Sequence, residues 1–259
     1  MSLSDRSLSL LRCPACNGEF DRRGGALRCT DCAKVVPVVG GIPRFPVDAD
    51  EGDTSAAFDR LSPIYETPLW FPVMYRLIGG PFAPIDDRST VAGVLDADGS
   101  DVLDVACGTG RFTRYVADEA EFVWGIDTSD GMLKTAGRYA DRDGLVNVAF
   151  ARMDATDLQF AERAFDAVAC CWALHLFPDV SGTLAEIHRV LRPGGRFAGT
   201  TLTEGGLLAI PGMSEGLGLS MGANAFDADD LRTTFHEAGF SAVSFDRRAA
   251  ALFFSARRE

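Results

Sequence analysis

The chain has 259 residues, 47% of them hydrophobic, which is enough to bury one large core and a small additional unit. Its 25 basic and 37 acidic residues give a net charge of −12, which argues against the basic surface that nucleic-acid binding requires. No run reaches the roughly 18 apolar residues of a membrane span, and the first residues lack the apolar core of a secretory signal. These properties predict a soluble, cytoplasmic protein with no membrane span.

The first pattern in the chain is a pair of Cys-x-x-Cys motifs, formed by Cys13 with Cys16 and by Cys29 with Cys32. Each motif offers two thiolates, and four thiolates complete the tetrahedral shell of one zinc ion. No position is then left for water, which is typical of a structural rather than a catalytic zinc site. Two redox or disulfide pairs are the alternative, disfavoured because so short a segment has too little core to fold without a metal.

A linker and a proline-rich segment separate the cysteine motifs from the rest of the chain. Residues 48–55 are small and acidic, which is typical of a linker. Residues 56–85 combine five prolines with several aromatics, so this segment can form only short helices and turns. We therefore expect a zinc-binding unit over residues 1–46, a linker and cap over 47–85 and a main domain over 86–259.

The most informative part of the main domain is a glycine-rich turn between a strand and a helix. Residues 102–105 have the pattern of a buried parallel strand, and Gly108 and Gly110 then allow the backbone to turn against a ligand. A helix that begins at about Arg111 directs its free N–H groups toward the same pocket. Asp127 follows 17 residues after Gly110, close to the roughly 20-residue offset at which a carboxylate reaches ribose hydroxyls. The pattern predicts an adenosine site.

The residues around and after the glycine turn indicate the class of cofactor. The third glycine of a dinucleotide site is missing, and so is the Gly-Lys-Ser or Gly-Lys-Thr of a nucleotide-binding P-loop. Residues 104–110, Asp-Val-Ala-Cys-Gly-Thr-Gly, resemble the first motif of the class I S-adenosylmethionine-dependent methyltransferases. The later motifs of that family follow in order at residues 127, 153–154, 165–172 and 191–197. Four ordered motifs disfavour the alternative, an unrelated α/β domain with a coincidental glycine turn.

The resemblance covers about residues 55–255 and implies a fold as well as a cofactor. The fold is Rossmann-like α/β, with a seven-stranded, mostly parallel sheet, helices on both faces and an antiparallel last strand. The cofactor is S-adenosylmethionine, with Asp127 at the ribose and Met153 and Asp154 at the adenine. The full implied cofactor-binding set is Asp104, Ala106, Gly108, Gly110, Asp127, Thr128, Met132, Met153, Asp154, Ala155 and Trp172.

Two residues are candidates for catalysis. Residues 58–65 resemble the N-terminal cap of quinone-type and related small-molecule methyltransferases, which implies that Tyr65 faces the methionine end of the cofactor or the acceptor. Simple packing of Tyr65 onto the sheet is an equal alternative. His175 follows the strand that ends near the transferring methyl group, and closure of that loop is its alternative role. Residues 203–224, apolar and rich in glycine, predict a pocket wall or lid around the acceptor.

The segments around the cysteines carry a second resemblance. Residues 11–14, 27–29 and 36–43 resemble the small zinc-ribbon protein that activates several translation-related methyltransferases. That resemblance covers about residues 10–46 and implies a zinc ribbon fused in front of the main domain. It also leaves open a protein partner that binds through the ribbon.

The sequence thus predicts a methyltransferase with a structural zinc, and the distribution of charge favours a small hydrophobic or aromatic acceptor. Residues 1–50 carry 7 basic and 6 acidic groups, net +1, whereas residues 51–259 carry 18 and 31, net −13. An rRNA (guanine) methyltransferase with a zinc-binding head, which the fusion also resembles, requires instead a basic footprint. The further alternative is a domain that binds cofactor but only activates another methyltransferase, which the intact motifs disfavour.

Overall fold

The computed structural model describes residues 3–47, 58–60, 62, 65–66, 87–203 and 225–259. The predicted linker, most of the predicted cap and all but the first residue of the predicted 203–224 lid lie outside the described residues. The predicted domain boundaries at residues 46 and 85 therefore stay predictions. Among the described residues, no helix is both long and apolar enough to cross a membrane.

The N-terminal unit is a short helix followed by a small antiparallel sheet. Helix α1 (Asp5–Leu10) is capped by Ser4, whose hydroxyl oxygen accepts a hydrogen bond from the N–H of Ser7 at 3.1 Å and so satisfies a free donor. The sheet contains four strands in sequential order: β1 (Phe20–Arg23), β2 (Ala26–Cys29), β3 (Val35–Val39) and β4 (Ile42–Pro43). Sequential antiparallel strands need only tight turns, which the glycine pairs 24–25 and 40–41 provide with positive φ angles.

The main domain is built on a seven-stranded sheet, as predicted. Its strands are β5 (Asp101–Val105), β6 (Phe122–Asp127), β7 (Val148–Arg152), β8 (Phe165–Cys171), β9 (Leu191–Leu202), β10 (Phe240–Arg248) and β11 (Ala251–Arg258). They lie in the order β10-β11-β9-β8-β5-β6-β7. The last strand, β11, is antiparallel to both of its neighbours, and the other strands run parallel to one another. The predicted mostly parallel sheet with an antiparallel last strand is confirmed.

Helices cover both faces of this sheet. They are α2 (Asp87–Leu95), α3 (Arg111–Val116), α4 (Asp130–Arg142), α5 (Val180–Val190) and α6 (Ala228–Glu237). Successive side chains of a strand point to opposite faces, so Leu103 and Val102 belong to two different buried clusters. Leu103 packs with residues of α5 and α6, and Val102 packs with residues of α2, α3 and α4.

The N-terminal unit docks on the β7 edge of the main sheet. The N–H of Phe45 donates to the carbonyl of Arg152 at 3.0 Å, and Arg44 pairs with Arg152 in a parallel bridge. Next to α1, Leu11 pairs antiparallel with Phe160. Leu11, Phe45 and Phe160 also belong to one buried cluster. The docked unit therefore covers backbone groups that an edge strand leaves unpaired, and it shares a core with the main domain.

Candidate functional site

The glycine turn follows β5 and leads directly into α3. Ala106, Gly108 and Gly110 have positive φ angles of 54°, 55° and 72°, so the chain reverses over five residues. A Cβ on Gly110 would lie 3.2 Å from the side chains of Ala136 and Phe150, closer than ordinary packing allows. Glycine at this position therefore satisfies a backbone and a packing requirement at once. Helix α3 begins at Arg111, which confirms the predicted start.

Asp127 lies at the end of β6 and ties the glycine turn to the loop before α4. Its Oδ2 accepts a hydrogen bond from the N–H of Gly108 at 2.9 Å, and its Oδ1 accepts one from the N–H of Ser129 at 2.8 Å. Burial raises the pKa of Asp127, and the hydrogen bonds from Ser129 and Gly108 oppose that rise. Each carboxylate oxygen has a second lone pair, so the side chain can also accept hydrogen bonds from a ligand.

A cavity of about 450 Å³ opens beside the glycine turn, at the carboxyl ends of β5, β6, β7 and β8. Ligands bind at this edge of open α/β sheets. Nine of the eleven predicted cofactor residues line it: Ala106, Gly108, Asp127, Thr128, Met132, Met153, Asp154, Ala155 and Trp172. Tyr65, one of the two candidate catalytic residues, lines it as well. Motif order alone therefore identified residues that lie far apart in the chain and share one cavity.

Three predicted site residues do not line the cavity: Asp104, Gly110 and His175. Asp104 is buried and accepts a hydrogen bond from the hydroxyl of Thr113 at 2.6 Å, and burial raises its pKa to about 7. His175 is 6% exposed, and its Nδ1 lies 3.2 Å from the hydroxyl oxygen of Thr201. Burial lowers the pKa of His175 to about 4, so the ring is neutral at pH 7. This placement favours the alternative role for His175, which is to close the loop after β8.

Trp172 is held in the cavity wall by a buried ion pair. Its Nε1 donates to Oδ2 of Asp87 at 2.8 Å, and the guanidinium of Arg111 contacts both oxygens of Asp87 at 2.8 and 3.0 Å. Asp87 is 1% exposed, so a carboxylate without these donors would be costly there. The group joins the loop after β8 to the first residues of α2 and α3. Sequence reasoning found Trp172 but missed Asp87 and Arg111, because no local pattern marks a pair 24 residues apart.

The described cap residues contact the same cavity. Phe58 and Tyr65 line it, and their rings meet edge to face with centroids 6.4 Å apart. Burial, and next the negative charge of Asp127, raises the pKa of Tyr65 to about 12, so its phenol stays protonated. Between these two rings in sequence, Asp59 accepts hydrogen bonds from the hydroxyl of Ser129 at 2.5 Å and the N–H of Gly131 at 2.8 Å. The cap is therefore fastened to the first turn of α4.

Sequence reasoning missed part of the cavity wall. Val47 reaches the cavity directly after the N-terminal unit, and Pro178 lines it in the loop after His175. Leu176 and Phe177, which also line it, belong to residues 172–177, which the sequence places beyond the carboxyl end of a strand and therefore beside the acceptor. No sequence pattern marks Val47 as a cavity residue, because its position depends on how the N-terminal unit docks.

The four predicted cysteines converge in the N-terminal unit. Their sulfur atoms all lie within 4.8 Å of one another, with 3.7 Å between Cys13 and Cys32 and 3.4 Å between Cys16 and Cys29. Metal–sulfur bonds of about 2.3 Å in a tetrahedral shell separate the sulfur atoms by about 3.8 Å. All seven cysteines of the chain are free thiols. The four sulfur atoms therefore fit a single metal ion.

Comparison with known proteins supports the assignment of the main domain. Residues 103–199, which run from β5 into β9, match the family model described as "Methyltransferase domain". An uncharacterized chloroplastic methyltransferase of Arabidopsis thaliana is 28% identical over 214 residues, which cover 73% of this chain and 60% of that protein. A demethylmenaquinone methyltransferase of Symbiobacterium thermophilum is 37% identical over 115 residues, 42% of this chain and 45% of that protein. The chain spans about half the length of these curated relatives.

The fold also resembles solved structures. The crystal structure of the [4+2]-cyclase SpnF has a TM-score of 0.64 and 21% identity, covering 82% of this chain and 97% of that chain. That protein is named as a cyclase, so the shared fold does not by itself fix the reaction. Together with the motifs and the cavity, the family match nevertheless assigns residues 103–199 to a methyltransferase domain.

His175 and Asp104, both buried behind the cavity, predict opposite dependences of folding stability on pH. The unfolded chain protonates His175 near pH 6.5 and the folded chain only near pH 4, so His175 removes about 3 kcal/mol of stability as pH falls through that window. Asp104 holds its proton up to about pH 7, so it removes up to about 4 kcal/mol as pH rises from about 4 to 7.

Urea unfolding of His175→Gln and Asp104→Asn between pH 4 and 7 separates the two contributions. Relative to the wild type, His175→Gln gains stability as pH falls, and Asp104→Asn gains it as pH rises. Stability curves that run parallel to the wild-type curve for both variants would show that neither group titrates between the folded and unfolded states in this window.

Proposed function

We propose that this chain is an S-adenosylmethionine-dependent methyltransferase that acts on a small hydrophobic or aromatic acceptor, and that its N-terminal unit holds a structural zinc ion. The observation that carries the proposal is the cavity beside the glycine turn. It brings together nine residues that the methyltransferase motifs imply, from four different strand ends and the first turn of α4. A cytoplasmic location, and a partner bound through the ribbon, stay predictions.

The residues of the cavity divide into parts that suit the parts of the cofactor. Asp127, already fixed by two backbone N–H groups, accepts hydrogen bonds from the ribose hydroxyls. Met153 and Ile126 give the adenine an apolar wall, and Asp154 is oriented by the N–H and hydroxyl of Thr156 at 2.8 and 2.7 Å. The turn at residues 106–110 leaves room for the methionine end, because a side chain at Gly108 would project toward Tyr65.

The chemistry needs mainly alignment and the exclusion of water. When bound, the cofactor supplies an electrophilic methyl group on a sulfonium, so the chain has to orient a nucleophile in line with it. Tyr65 and Trp172 are the polar-tipped aromatics of the wall, and the protonated phenol of Tyr65 can donate a hydrogen bond to an acceptor. Leu176, Phe177 and Pro178 give the cavity an apolar side. His175 contributes indirectly, through the loop that it supports beneath these residues.

Charge supports a small acceptor over RNA. Residues 51–259 carry a net charge of −13, and a surface that binds phosphates requires the opposite sign. A concave site with an apolar side, here Leu176, Phe177 and Pro178, and a few polar groups is typical of sites for small molecules.

Incubation with methyl-labelled S-adenosylmethionine tests the acceptor class. We expect label in the organic extract when a hydroquinone or another phenolic acceptor is supplied, and none in rRNA fragments. Filter binding to the same fragments should be weak, with no steep fall as salt rises. Tight binding with a steep salt slope, together with label in RNA, would establish an rRNA methyltransferase instead. Cofactor binding with no transfer to either pool would favour the non-catalytic activator.

The cofactor site predicts unequal effects of two carboxylates. Asp127→Ala should weaken the binding of S-adenosylhomocysteine by roughly 1.5 to 3 kcal/mol, the scale for hydrogen bonds to a charged acceptor. Asp154→Ala should cost less, because adenine keeps its apolar contacts. Asp130→Asn is the matched control, since this neighbouring carboxylate pairs with Arg44 outside the cavity. Titration calorimetry measures all three, and unchanged affinity in both Ala variants would put the adenosine site elsewhere.

The cysteine cluster predicts about one zinc ion per chain in protein purified without chelator. Removal of the metal should lower the melting temperature of the whole chain, because Leu11 and Phe45 of the metal-holding unit pack in the core of the main domain. Cys29→Ser should lower the zinc content in elemental analysis. Cys171→Ser, a thiol of the cavity wall, should leave it unchanged. Metal-free protein with an unchanged melting temperature would rule out the structural zinc.

A further inference from the structure

Trp172 lies at the opposite end of the cavity from the residues predicted for the adenine. Met153 and Asp154 follow β7, Trp172 follows β8, and β5 and β6 lie between these two strands in the sheet. Three strand spacings of about 4.8 Å separate the two strand ends by roughly 14 Å. With the adenine beside Met153 and the ribose at Asp127, the methyl-bearing end of the cofactor extends toward the glycine turn and Trp172.

The backbone of Trp172 has a conformation that residues with a side chain rarely adopt. Its φ angle is 60°, in the left-handed region that favours glycine. Its N–H donates to the carbonyl oxygen of Thr200 on β9 at 2.8 Å, which ties the backbone to the sheet. Such a conformation persists only where the surrounding structure holds it, and it is frequent at ligand sites. The strain therefore coincides with the point at which β8 enters the cavity wall.

The indole ring of Trp172 is fixed by a group that is not among the described residues lining the cavity. Its Nε1 donates to Oδ2 of Asp87 at 2.8 Å, and Asp87 is 1% exposed. Asp87 is fixed in turn, because Arg111 contacts both of its oxygens and the N–H of Arg88 donates to its Oδ1 at 3.0 Å. The indole has a single donor, so this bond determines how the ring is rotated in the wall.

We propose that Asp87 is a positioning residue for methyl transfer, which acts through Nε1 of Trp172 to fix the cavity wall beside the methyl-bearing end of the cofactor. The inference rests on the proposed function, because it takes the ligand of the cavity to be S-adenosylmethionine. A displaced ring changes the angle and distance at which the acceptor meets the methyl group, and transfer is sensitive to shifts of about 1 Å. Cofactor affinity depends instead on Asp127 and the adenine wall.

Nuclear magnetic resonance of the full chain with ¹⁵N-labelled tryptophan tests whether Asp87 holds the ring. The indole N–H signal of Trp172, identified by its loss in Trp172→Phe, should exchange slowly with water in the wild type and faster in Asp87→Asn. Trp124 is the internal reference, because its buried indole nitrogen has no hydrogen-bond partner among the described residues. Its signal should be the same in both proteins. A Trp172 signal that Asp87→Asn leaves unchanged overturns the proposal.

Steady-state kinetics with a hydroquinone acceptor tests the role in methyl transfer. Asp87→Asn should lower kcat about tenfold or more and change the Kd of S-adenosylhomocysteine by less than about threefold, because alignment is lost and cofactor contacts are kept. Asp101→Asn is the matched control. It also removes a buried carboxylate from arginine partners, Arg6 and Arg192, but at the amino end of β5 and away from the cavity. Both constants should stay at their wild-type values in that variant.

A double-mutant cycle tests whether Asp87 acts through the indole. Trp172→Phe keeps an aromatic ring and the pair of Asp87 with Arg111 but has no N–H, so alone it should show a similar loss of kcat. Adding Asp87→Asn to Trp172→Phe should then cost little more. An unchanged kcat in Trp172→Phe overturns the proposal. An equal effect of Asp87→Asn in both backgrounds overturns it as well.

The remaining outcomes separate the positioning role from the function on which it rests. Wild-type protein that binds no S-adenosylhomocysteine or transfers no methyl group overturns the proposed function, and the positioning role with it. Wild-type protein that binds and transfers, with Asp87→Asn at the wild-type kcat, overturns the positioning role alone. An equal loss of kcat in Asp101→Asn also overturns it, because any broken buried ion pair would then have the same effect.

Discussion

The carboxylate of Asp127 is the constraint on which the candidate site depends. One oxygen accepts a hydrogen bond from the N–H of Gly108 and the other accepts one from the N–H of Ser129. A single side chain therefore fixes both the glycine turn and the loop before α4. This arrangement is stable because the backbone donors compensate a buried negative charge that would otherwise be neutralised. Ser129 in turn caps α4 by accepting from the N–H of Met132, and its hydroxyl donates to Asp59 of the cap. Turn, helix and cap therefore share one hydrogen-bonded chain.

The parts of this arrangement that the sequence predicted are those fixed by local backbone requirements. Gly108 and Gly110 have positive φ angles, and the strands around them are short apolar runs, so pattern and structure coincide. The seven-stranded, mostly parallel sheet with its antiparallel last strand followed from the family resemblance. The ion pair of Asp87 with Arg111, and that of Glu66 with Arg114, had no such signal, because pairs 24 and 48 residues apart leave no period in the sequence. His175 was placed in the correct loop, but its burial depends on Thr201 of a later strand.

Charge is distributed so that the two ends of the cavity differ in character. One side contains Asp127 and Asp154, whereas the side beyond Trp172 contains Leu176, Phe177 and Pro178, followed by Asp179, whose carboxylate accepts a hydrogen bond from the N–H of Gly182. Water is expelled more easily from the second side, since apolar walls offer it no hydrogen bonds. None of the described residues that line the cavity is basic, so its polar end stays acidic.

Docking of the N-terminal unit on β7 also shapes how the chain folds during synthesis. The unit leaves the ribosome before the main domain, yet Leu11 pairs with Phe160, 149 residues later, and Phe45 bonds to Arg152, 107 residues later. Contacts of such long sequence separation form late, because closure of the intervening chain must come first. Until these contacts form, the apolar face of the unit is exposed to solvent and can associate with other nascent chains. The proposed zinc ion, bound early by four cysteines within 20 residues, would hold that face in its final shape.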